Sequence, residues 1–277
     1  MAASDESIDA LRRDIDRLDD ALHDLLMRRA GLAERIGAAK RRDGAARSFM
    51  RAGREAHIMR HLLARHDGVF PSQAMVRIWR EIISGTLSVE APQSLVMAPP
   101  CDEAEAVPYR DGVRDHFGSA TPLSLRPDAQ AVLYDLESGA ATVGVLPVPR
   151  PGTGADWWQR LAGQSAPRVV VRLPVLDRAN AGPAAYALAM IESEPSGDDI
   201  SLLVAACSTE LSTEAVCERL SASGFEARMI DSAVSAALVE VAGFVATDDP
   251  RLAAANGEDI TELTVIGGFA CPLEVVS

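Results

Sequence analysis

Arg29 occupies a position in a predicted helix where an apolar residue is expected. From Ile8 onward, apolar residues recur every three or four positions, which places them on one face of an α-helix. The series consists of Ile8, Leu11, Ile15, Leu18, Leu22, Leu25, Leu32, Ile36 and Ala39. A buried ion pair or a side chain reaching to solvent would be the ordinary explanation for an arginine here. No acid lies three or four residues away, however, so an anion supplied by a ligand is favoured.

Lys40 is a second cation on this helix face. It lies eleven residues after Arg29, which corresponds to about 20° around the helix and roughly 16 Å along it. Two long side chains on one face can converge on a small molecule between them. Arg12 is about 25 Å from Arg29 and about 100° out of phase, so it could reach the same ligand only from a partner chain. The spacing predicts a compact dianion at a dimer seam.

The composition is that of an ordinary globular protein and argues against several functional classes. Of the 277 residues, 48% are hydrophobic and 24% are charged, and the net charge is −13. This charge argues against binding to nucleic acid or to an anionic membrane. The acidic start has no apolar core, so no signal peptide is expected, and no apolar run reaches the roughly 18 residues that span a bilayer. The four cysteines lack metal-ligand spacing, which favours reduced thiols in a cytoplasmic protein.

The first 90 residues are predicted to form three helices. They cover residues 7–42, residues 54–66 and the segment from Pro71 to just before Pro92, with a loop at 43–53. The first helix would be about 50 Å long, which is too long to bury its apolar stripe against two shorter helices. A second copy of the chain is the obvious cover. The pattern therefore predicts an intertwined homodimer.

After Pro92 the pattern changes to short β-rich runs that alternate with helices. Strands are predicted at 94–98, 142–148, 168–175 and 185–191, and helices at 129–138 and 156–163. From Asp199 onward the order is strand, helix, strand, strand, helix, strand, which is typical of a ferredoxin-like domain. The predicted fold class is multidomain, with an all-α N-terminal intertwined helical dimer domain followed by an α/β and ferredoxin-like α+β region.

Three segments of the helical region resemble the all-helical, AroQ-type chorismate mutases. They read "ALRRDIDRLDDALHDLLMRRAGLAERIGAAK", "RAGREAHIMRHL" and "IWREIISGTLSVE". The shared pattern places an arginine near the start of the long helix, another near its middle and a lysine about eleven residues later. An Arg-Glu pair opens the second helix, and the third carries a small hydroxyl and a Gln or Glu. The resemblance implies substrate contacts for Arg12, Arg29, Lys40, Arg54, Glu55, Thr86 and Glu90.

The resemblance also implies a role for each of these residues. Arg29 and the partner subunit's Arg12 would hold the two carboxylates of chorismate. Lys40 would reach a carboxylate and the ether oxygen, and Glu55, next to Arg54, would hold the ring hydroxyl. Catalytic roles are implied for Arg29, Lys40, Glu55 and Glu90.

On the third helix, Thr86 matches the hydroxyl position and Glu90 matches the position beside the ether oxygen. The implied reaction is a Claisen rearrangement from chorismate to prephenate within one molecule. It needs a folded substrate and positive groups beside the ether oxygen, which gains negative charge. No metal or cofactor is therefore expected. The histidines are expected on exposed helix surfaces, namely His23, His57, His61, His66 and His116.

The remaining sequence resembles parts of prephenate dehydratase and its ACT domain, but with key residues replaced. The dehydratase motif usually read as Glu-Asn-Ser appears as Pro149-Arg150-Pro151, and residues 177–192 contain no threonine for the family's Thr-Arg-Phe. About one lobe of sequence is also absent. The predicted domains are a chorismate mutase domain at 1–91, a reduced prephenate-dehydratase-like region at 92–196 and an ACT-like domain at 197–277. The last two are expected to be degenerate and non-catalytic, with a role in dimer support or regulation.

Three functions remain open from the sequence. The favoured one is a chorismate mutase with an inactive C-terminal region. The second is a bifunctional mutase and dehydratase, which the missing threonine and lobe disfavour. The third is a non-enzymatic regulator that binds an aromatic amino acid or a partner enzyme. The set of inward cations argues against this third function, because a scaffold has no use for them.

Overall fold

The N-terminal region of the computed structural model is helical, as the sequence predicts. The structure describes residues 7–42, 50–177, 182–208 and 211–274. The three helices are α1 (Ile8–Arg42), α2 (Ala52–Ala64) and α3 (Ser72–Glu90). The second helix therefore begins and ends two residues earlier than its pattern indicates. Most of the predicted loop, residues 43–49, lies outside the described residues.

The long helix α1 leaves its apolar stripe uncovered within one chain. Its buried residues, Ala33 and Gly37, both lie in the C-terminal half. Farther toward the N terminus, Ile8 is 68% exposed, Leu18 64% and Leu22 60%. A stripe of this length on a single chain exposes far more apolar surface than scattered surface residues normally do. None of the described helices is both long enough and apolar enough to cross a membrane.

The region after α3 begins with an α/β arrangement. Its strands are β1 (Leu95–Met97), β2 (Leu123–Leu125), β3 (Val143–Pro147), β4 (Arg168–Leu173), β5 (Leu176–Asp177) and β6 (Ala185–Ala189). Its helices are α4 (Ala106–Phe117) and α5 (Ala129–Glu137). Strands β2, β1 and β3 are parallel, whereas β6 runs antiparallel to both β3 and β4.

The C-terminal part has the predicted strand, helix, strand, strand, helix, strand order. It comprises β7 (Asp199–Cys207), α6 (Thr213–Ala222), β8 (Ala227–Ala233), β9 (Ala236–Ala242), α7 (Pro250–Ala255) and β10 (Ile260–Ala270). A short β11 (Leu273–Glu274) pairs with β5. The β10-β7-β9-β8 order, antiparallel throughout, is that of the ferredoxin-like arrangement.

One nine-stranded mixed sheet runs through both C-terminal parts, in the order β2-β1-β3-β6-β4-β10-β7-β9-β8. The two parts meet where β10 pairs with β4 at Gly267 and Val169. A Cβ on Gly267 would overlap the Val169 backbone, so glycine permits this close approach. The two predicted C-terminal domains therefore share one continuous sheet.

Buried polar contacts also join the two C-terminal parts. The Tyr186 hydroxyl of β6 donates a 2.9 Å hydrogen bond to Glu240 of β9. The indole of Trp158 donates a 3.1 Å hydrogen bond to Asp231 of β8. Because all four side chains are buried, each hydrogen bond satisfies groups that would otherwise be desolvated without a partner. The same core cluster contains apolar residues from both parts.

Two local features differ from the sequence prediction. The predicted helix at 156–163 is a 3-10 helix over Asp156–Ala162, in which Trp157 and Trp158 are buried. Helix α4 was not expected, because Pro108 and Gly112 are normally read as helix breakers. Pro108 lies in the first turn of α4, where the missing N–H has no helical partner to lose. Its helical pattern is therefore compatible with the proline.

The segment 193–199, which leads into β7, is attached to helix α2. Arg60 donates hydrogen bonds to the backbone carbonyls of Ser196 at 2.8 Å and Asp198 at 2.6 Å. Gly53 allows the linker backbone to approach closely, since a Cβ there would lie 2.7 Å from the Pro195 carbonyl oxygen. The Asp199 carboxylate accepts hydrogen bonds from the backbone N–H groups of the turn before β7. These contacts fix the helical region against the sheet region.

Candidate active site

Arg29 projects from the middle of α1 onto helix α3. Its guanidinium donates a hydrogen bond to the Thr86 hydroxyl and a longer one, 3.4 Å, to the Ile82 carbonyl oxygen. Thr86 in turn donates to the Ile82 carbonyl at 2.5 Å. Both acceptors of Arg29 are neutral oxygen atoms. The arginine therefore keeps its full charge at a half-buried position, with hydrogen-bonding capacity for a further acceptor.

Burial and two nearby charges affect the pKa of Arg29. Burial lowers the pKa of Arg29, the charge of Glu90 raises it, and the charge of Arg54 lowers it further. Arginine remains protonated at any physiological pH in spite of these shifts. Arg54 is exposed on α2, and its electrostatic effect shows that it lies near Arg29. Among the described residues, no carboxylate forms an ion pair with Arg29.

Lys40 and Glu90 form the second half of the cluster. The Lys40 ammonium lies 3.1 Å from a carboxylate oxygen of Glu90, which is only 8% exposed. The neighbouring Arg41 donates a 2.5 Å hydrogen bond to the Glu90 backbone carbonyl at the C-terminal end of α3. These contacts hold the end of α3 against the end of α1.

Gly37 makes this helix contact possible. A Cβ at this position would lie 2.9 Å from the Glu90 carbonyl oxygen and 3.0 Å from its Cα atom. Sequence reasoning did not single out Gly37 or Arg41. A glycine within the apolar pattern of a predicted helix, three residues before the key lysine, is the signal that could have indicated a close helix approach.

Glu55 lies apart from the cluster in this structure. Its carboxylate is buried and forms a 2.9 Å ion pair with the buried Arg80 of α3. One carboxylate oxygen of Glu55 and the Nε atom of Arg80 have no hydrogen-bond partner among the described residues. The implied contact with a ring hydroxyl would therefore require Glu55 to use its free oxygen or to reorient.

Arg12 lies far from the cluster within the same chain. It is exposed and contacts only the nearby Asp9, at 3.4 Å, among the described residues. The 17 residues that separate it from Arg29 correspond to about 25 Å of helix. The structure thus brings together Arg29, Lys40, Thr86 and Glu90, with Arg54 nearby, and leaves Arg12 and Glu55 outside.

This arrangement is suited to electrostatic stabilisation. Two cations, a hydroxyl and a carboxyl group face one another across α1 and α3. No group of three His, Cys, Asp or Glu side chains in the described ranges is placed to bind a metal ion. Preorganised charges of this kind act on a reaction in which negative charge moves within a bound anion.

The prediction that all five histidines are exposed is wrong for His116. It is 6% exposed on α4, and neither ring nitrogen has a partner among the described residues. Burial and the nearby charge of Arg80 hold its pKa well below the usual value, so the ring is neutral at physiological pH. The prediction failed because α4 was not recognised as a helix that packs between the sheet and α3.

The match to known families covers the same helices that carry the cluster. Residues 11–91 match the family model described as chorismate mutase type II. The helical region is therefore similar in sequence to the type II chorismate mutases. All seven predicted site residues lie within this range. This match confirms the predicted resemblance of the helical region to the chorismate mutases.

The similarity to known proteins extends beyond α3. The chain is 30% identical over 156 residues to the bifunctional chorismate mutase/prephenate dehydratase of Pseudomonas aeruginosa, covering 55% of this chain and 42% of that protein. The corresponding protein of Aquifex aeolicus is 32% identical over 145 residues, covering 52% and 39%. The chain thus matches less than half the length of these relatives. A prephenate dehydratase structure from Arthrobacter aurescens in complex with L-Phe has a TM-score of 0.45 at 11% identity, covering 66% of this chain and 93% of that chain.

The region after α3 contains a large cleft at the end of strand β3. Its volume is about 900 Å³, and its lining includes Arg150 and Asp128. Arg150 forms a 2.8 Å ion pair with Glu105, which also lines the cleft.

Proposed function

We propose that this chain is a chorismate mutase that converts chorismate to prephenate by a Claisen rearrangement. The observation that carries the proposal is the half-buried Arg29, whose hydrogen bonds go to neutral oxygens while Lys40 and Glu90 lie across the same helix pair. A dianionic substrate supplies the charge that this site lacks. The family match of residues 11–91 supports the same conclusion.

The geometry suggests how the mutase domain promotes the reaction. Arg29 binds one carboxylate of the substrate. Lys40 leaves Glu90 and binds a carboxylate and the ether oxygen of the substrate. Thr86 orients Arg29, and Glu90 lies beside the ether oxygen. Holding the side chain of chorismate over its ring selects the reactive conformer of a flexible substrate. Positive groups beside the ether oxygen stabilise the charge that develops there.

We also propose that the active protein is a homodimer in which the partner subunit's Arg12 completes each site. The exposed apolar stripe of α1 supports this proposal, because a second α1 would cover it and could bring Arg12 to Arg29. The partner subunit's Arg12 would then hold the second carboxylate. We propose that Glu55 binds the ring hydroxyl of the substrate and that Arg54 also contacts the substrate.

Leu18→Glu is expected to convert the dimer to a monomer and to abolish mutase activity. Leu18 lies on the apolar stripe and is 64% exposed in one chain, so a charge there would be buried at the proposed seam. Sedimentation velocity would report the change in mass. Arg17→Glu is the control, because Arg17 is exposed on another face of the same helix, and it should leave the dimer intact. A wild-type protein that sediments as a monomer would contradict the proposal.

For the C-terminal region, we infer that it does not dehydrate prephenate. The altered motif at Pro149-Arg150-Pro151 and the lack of threonine in residues 177–192 support this inference. We expect chorismate to yield prephenate with no phenylpyruvate at neutral pH. The assay supplies chorismate and prephenate separately and measures both products, with a sample lacking enzyme as control.

The outcome of this assay separates the three functions. Phenylpyruvate that forms only with enzyme would identify a bifunctional protein. A protein that forms neither product would favour the regulator, which binds an aromatic amino acid or a partner enzyme. We also propose that an aromatic amino acid regulates the mutase activity. The proposed location is the cytoplasm, since all four cysteines are free thiols and disulfides form mainly in oxidising compartments.

Glu90→Gln is expected to retain mutase activity, because a side-chain amide beside the ether oxygen donates a hydrogen bond to the charge that develops there. The measurement is kcat/KM for the variant and the wild type. A folded Glu90→Gln protein without mutase activity would contradict the proposed place of Glu90 beside the ether oxygen.

A further inference from the structure

A second cavity lies between the mutase helices and the sheet, away from the Arg29 cluster. Its volume is about 270 Å³, near the lower end of the range for small-molecule sites. It lies between α3, α4 and the segment from β4 to β5, and apolar side chains such as Val76, Leu173 and Leu176 form part of its lining. We call it the junction pocket. Its size fits a small metabolite.

Three polar side chains that line the junction pocket are buried and have unused hydrogen-bonding atoms. Arg80 is 4% exposed, Tyr109 2% and His116 6%. Among the described residues, the Arg80 Nε, the Tyr109 hydroxyl and both His116 ring nitrogens have no partner. A buried polar group without a partner is destabilising. Three such groups at one cavity point to a ligand that satisfies them.

Each of the three side chains has a hydrogen-bond donor among its unused atoms. Arg80 is charged and presents its Nε–H. Burial raises the pKa of Tyr109, so its hydroxyl keeps the proton. His116 is neutral for the reasons given above and carries one N–H. A group with several acceptor lone pairs, such as a carboxylate, matches this set.

Acidic side chains outnumber basic ones around the pocket. Arg80 is paired with Glu55, and Arg77 forms a 2.6 Å ion pair with Asp115 at the lining. Asp111 is exposed and also lines the pocket, so two arginines stand against three carboxylates. A dianion therefore has no net attraction to the pocket. A ligand with a carboxylate for the donors and a cationic group for the aspartates fits better.

We propose that the junction pocket binds a small α-amino acid with an apolar side chain. Its carboxylate accepts hydrogen bonds from Arg80, Tyr109 and His116, and its ammonium group faces the aspartates at the rim. The apolar side chain packs on the residues of the floor. This site is distinct from the Arg29 cluster, and its existence does not depend on the mutase activity.

The test is calorimetric titration of the full chain with L-phenylalanine and L-leucine. We expect one of them to bind with a Kd of about 1 mM or tighter. For L-phenylalanine, 3-phenylpropionate lacks the amino group and 2-phenylethylamine lacks the carboxylate. Both analogues should bind at least about tenfold more weakly, because each loses a charged hydrogen bond. Equal affinity for either analogue would overturn the assignment of the ligand class.

Two variants localise the binding. Gly112 lines the pocket, and a Cβ there would meet no atom within 4 Å, so Gly112→Leu fills free space without a clash at its first atom. It should abolish binding, whereas Gly112→Ala should retain it. Tyr109→Phe removes only the unused hydroxyl, so the fold should be kept while affinity drops about tenfold or more.

Thermal unfolding of each variant checks that it is folded. Absence of binding to both amino acids in the wild type would overturn the proposal. Binding that persists unchanged in Gly112→Leu and Tyr109→Phe would also overturn it, because the amino acid would then occupy another part of the chain, such as the ACT-like region. Neither readout uses chorismate, so a failure here is independent of a failure of the proposed mutase activity.

Discussion

Arg29→Ala is expected to lower kcat/KM for chorismate by about 10²–10³-fold or more, while the dimer stays folded. One charged donor to a reacting anion accounts for a loss of that size in preorganised sites. The structure explains why the fold should survive. Arg29 forms hydrogen bonds only to the Thr86 hydroxyl and the Ile82 carbonyl, and burial already disfavours its charge, as the lowered pKa shows.

Arg28→Ala is the matched control for this experiment. Arg28 is the neighbouring arginine of the same helix and is exposed, so its removal tests the general loss of a positive charge near the site. Arg29→Lys adds a second comparison, because it keeps the charge but loses the planar fork that can bind a carboxylate through two hydrogen bonds. Steady-state kinetics and sedimentation velocity give the two readouts. An Arg29→Ala protein with near-normal kcat/KM, or one that is monomeric and molten, would contradict the assignment.

Arg80→Met is expected to lower the free energy of unfolding by about 3–5 kcal/mol. Arg80 and Glu55 form a buried ion pair at 2.9 Å, and removal of one partner leaves the other charge buried without compensation. Methionine keeps most of the side-chain volume, so the effect reports the lost charge rather than a cavity. Urea unfolding followed by circular dichroism measures the change.

Arg77→Met is the control, since it makes the same substitution three residues earlier on α3. Arg77 forms an ion pair as well, with Asp115 of α4, but that pair is exposed. Exposed ion pairs contribute about 0–1 kcal/mol to the free energy of unfolding. The double variant Glu55→Leu/Arg80→Met should recover much of the stability, because it removes both buried charges. If Arg80→Met costs no more than Arg77→Met, the buried pair does not contribute to holding α2 against α3.

The local sequence pattern was sufficient for most elements. The three N-terminal helices and the order of the last six elements follow from apolar periodicity and turn residues, which depend on neighbours close in the chain. Helix α4 was missed because Pro108 and Gly112 look like breakers when position within the helix is unknown. The 3-10 helix at Asp156–Ala162 was mistaken for an α-helix, since a short buried segment with two tryptophans has no periodicity that separates the two.

The candidate site could likewise be predicted only in part from local sequence patterns. The pattern of α1 identified Arg29 and Lys40, because both lie on one helix whose geometry is fixed by residue spacing. The contacts of Arg29 with Thr86 and of Lys40 with Glu90 join residues about fifty positions apart. The family resemblance indicated those residues, but the backbone approach at Gly37 that brings the helix ends together is visible only in the fold.

The sequence by itself determined the helical region, its unusual seam cation and the order of the ferredoxin-like elements, because each rests on residues within a few turns or strands of one another. Only the tertiary structure decided that Glu55 pairs with Arg80, that His116 is buried and that one sheet joins both C-terminal parts. The physical reason is that these features depend on which elements pack together. A charge or a ring is desolvated by distant parts of the chain, and no local pattern records their approach.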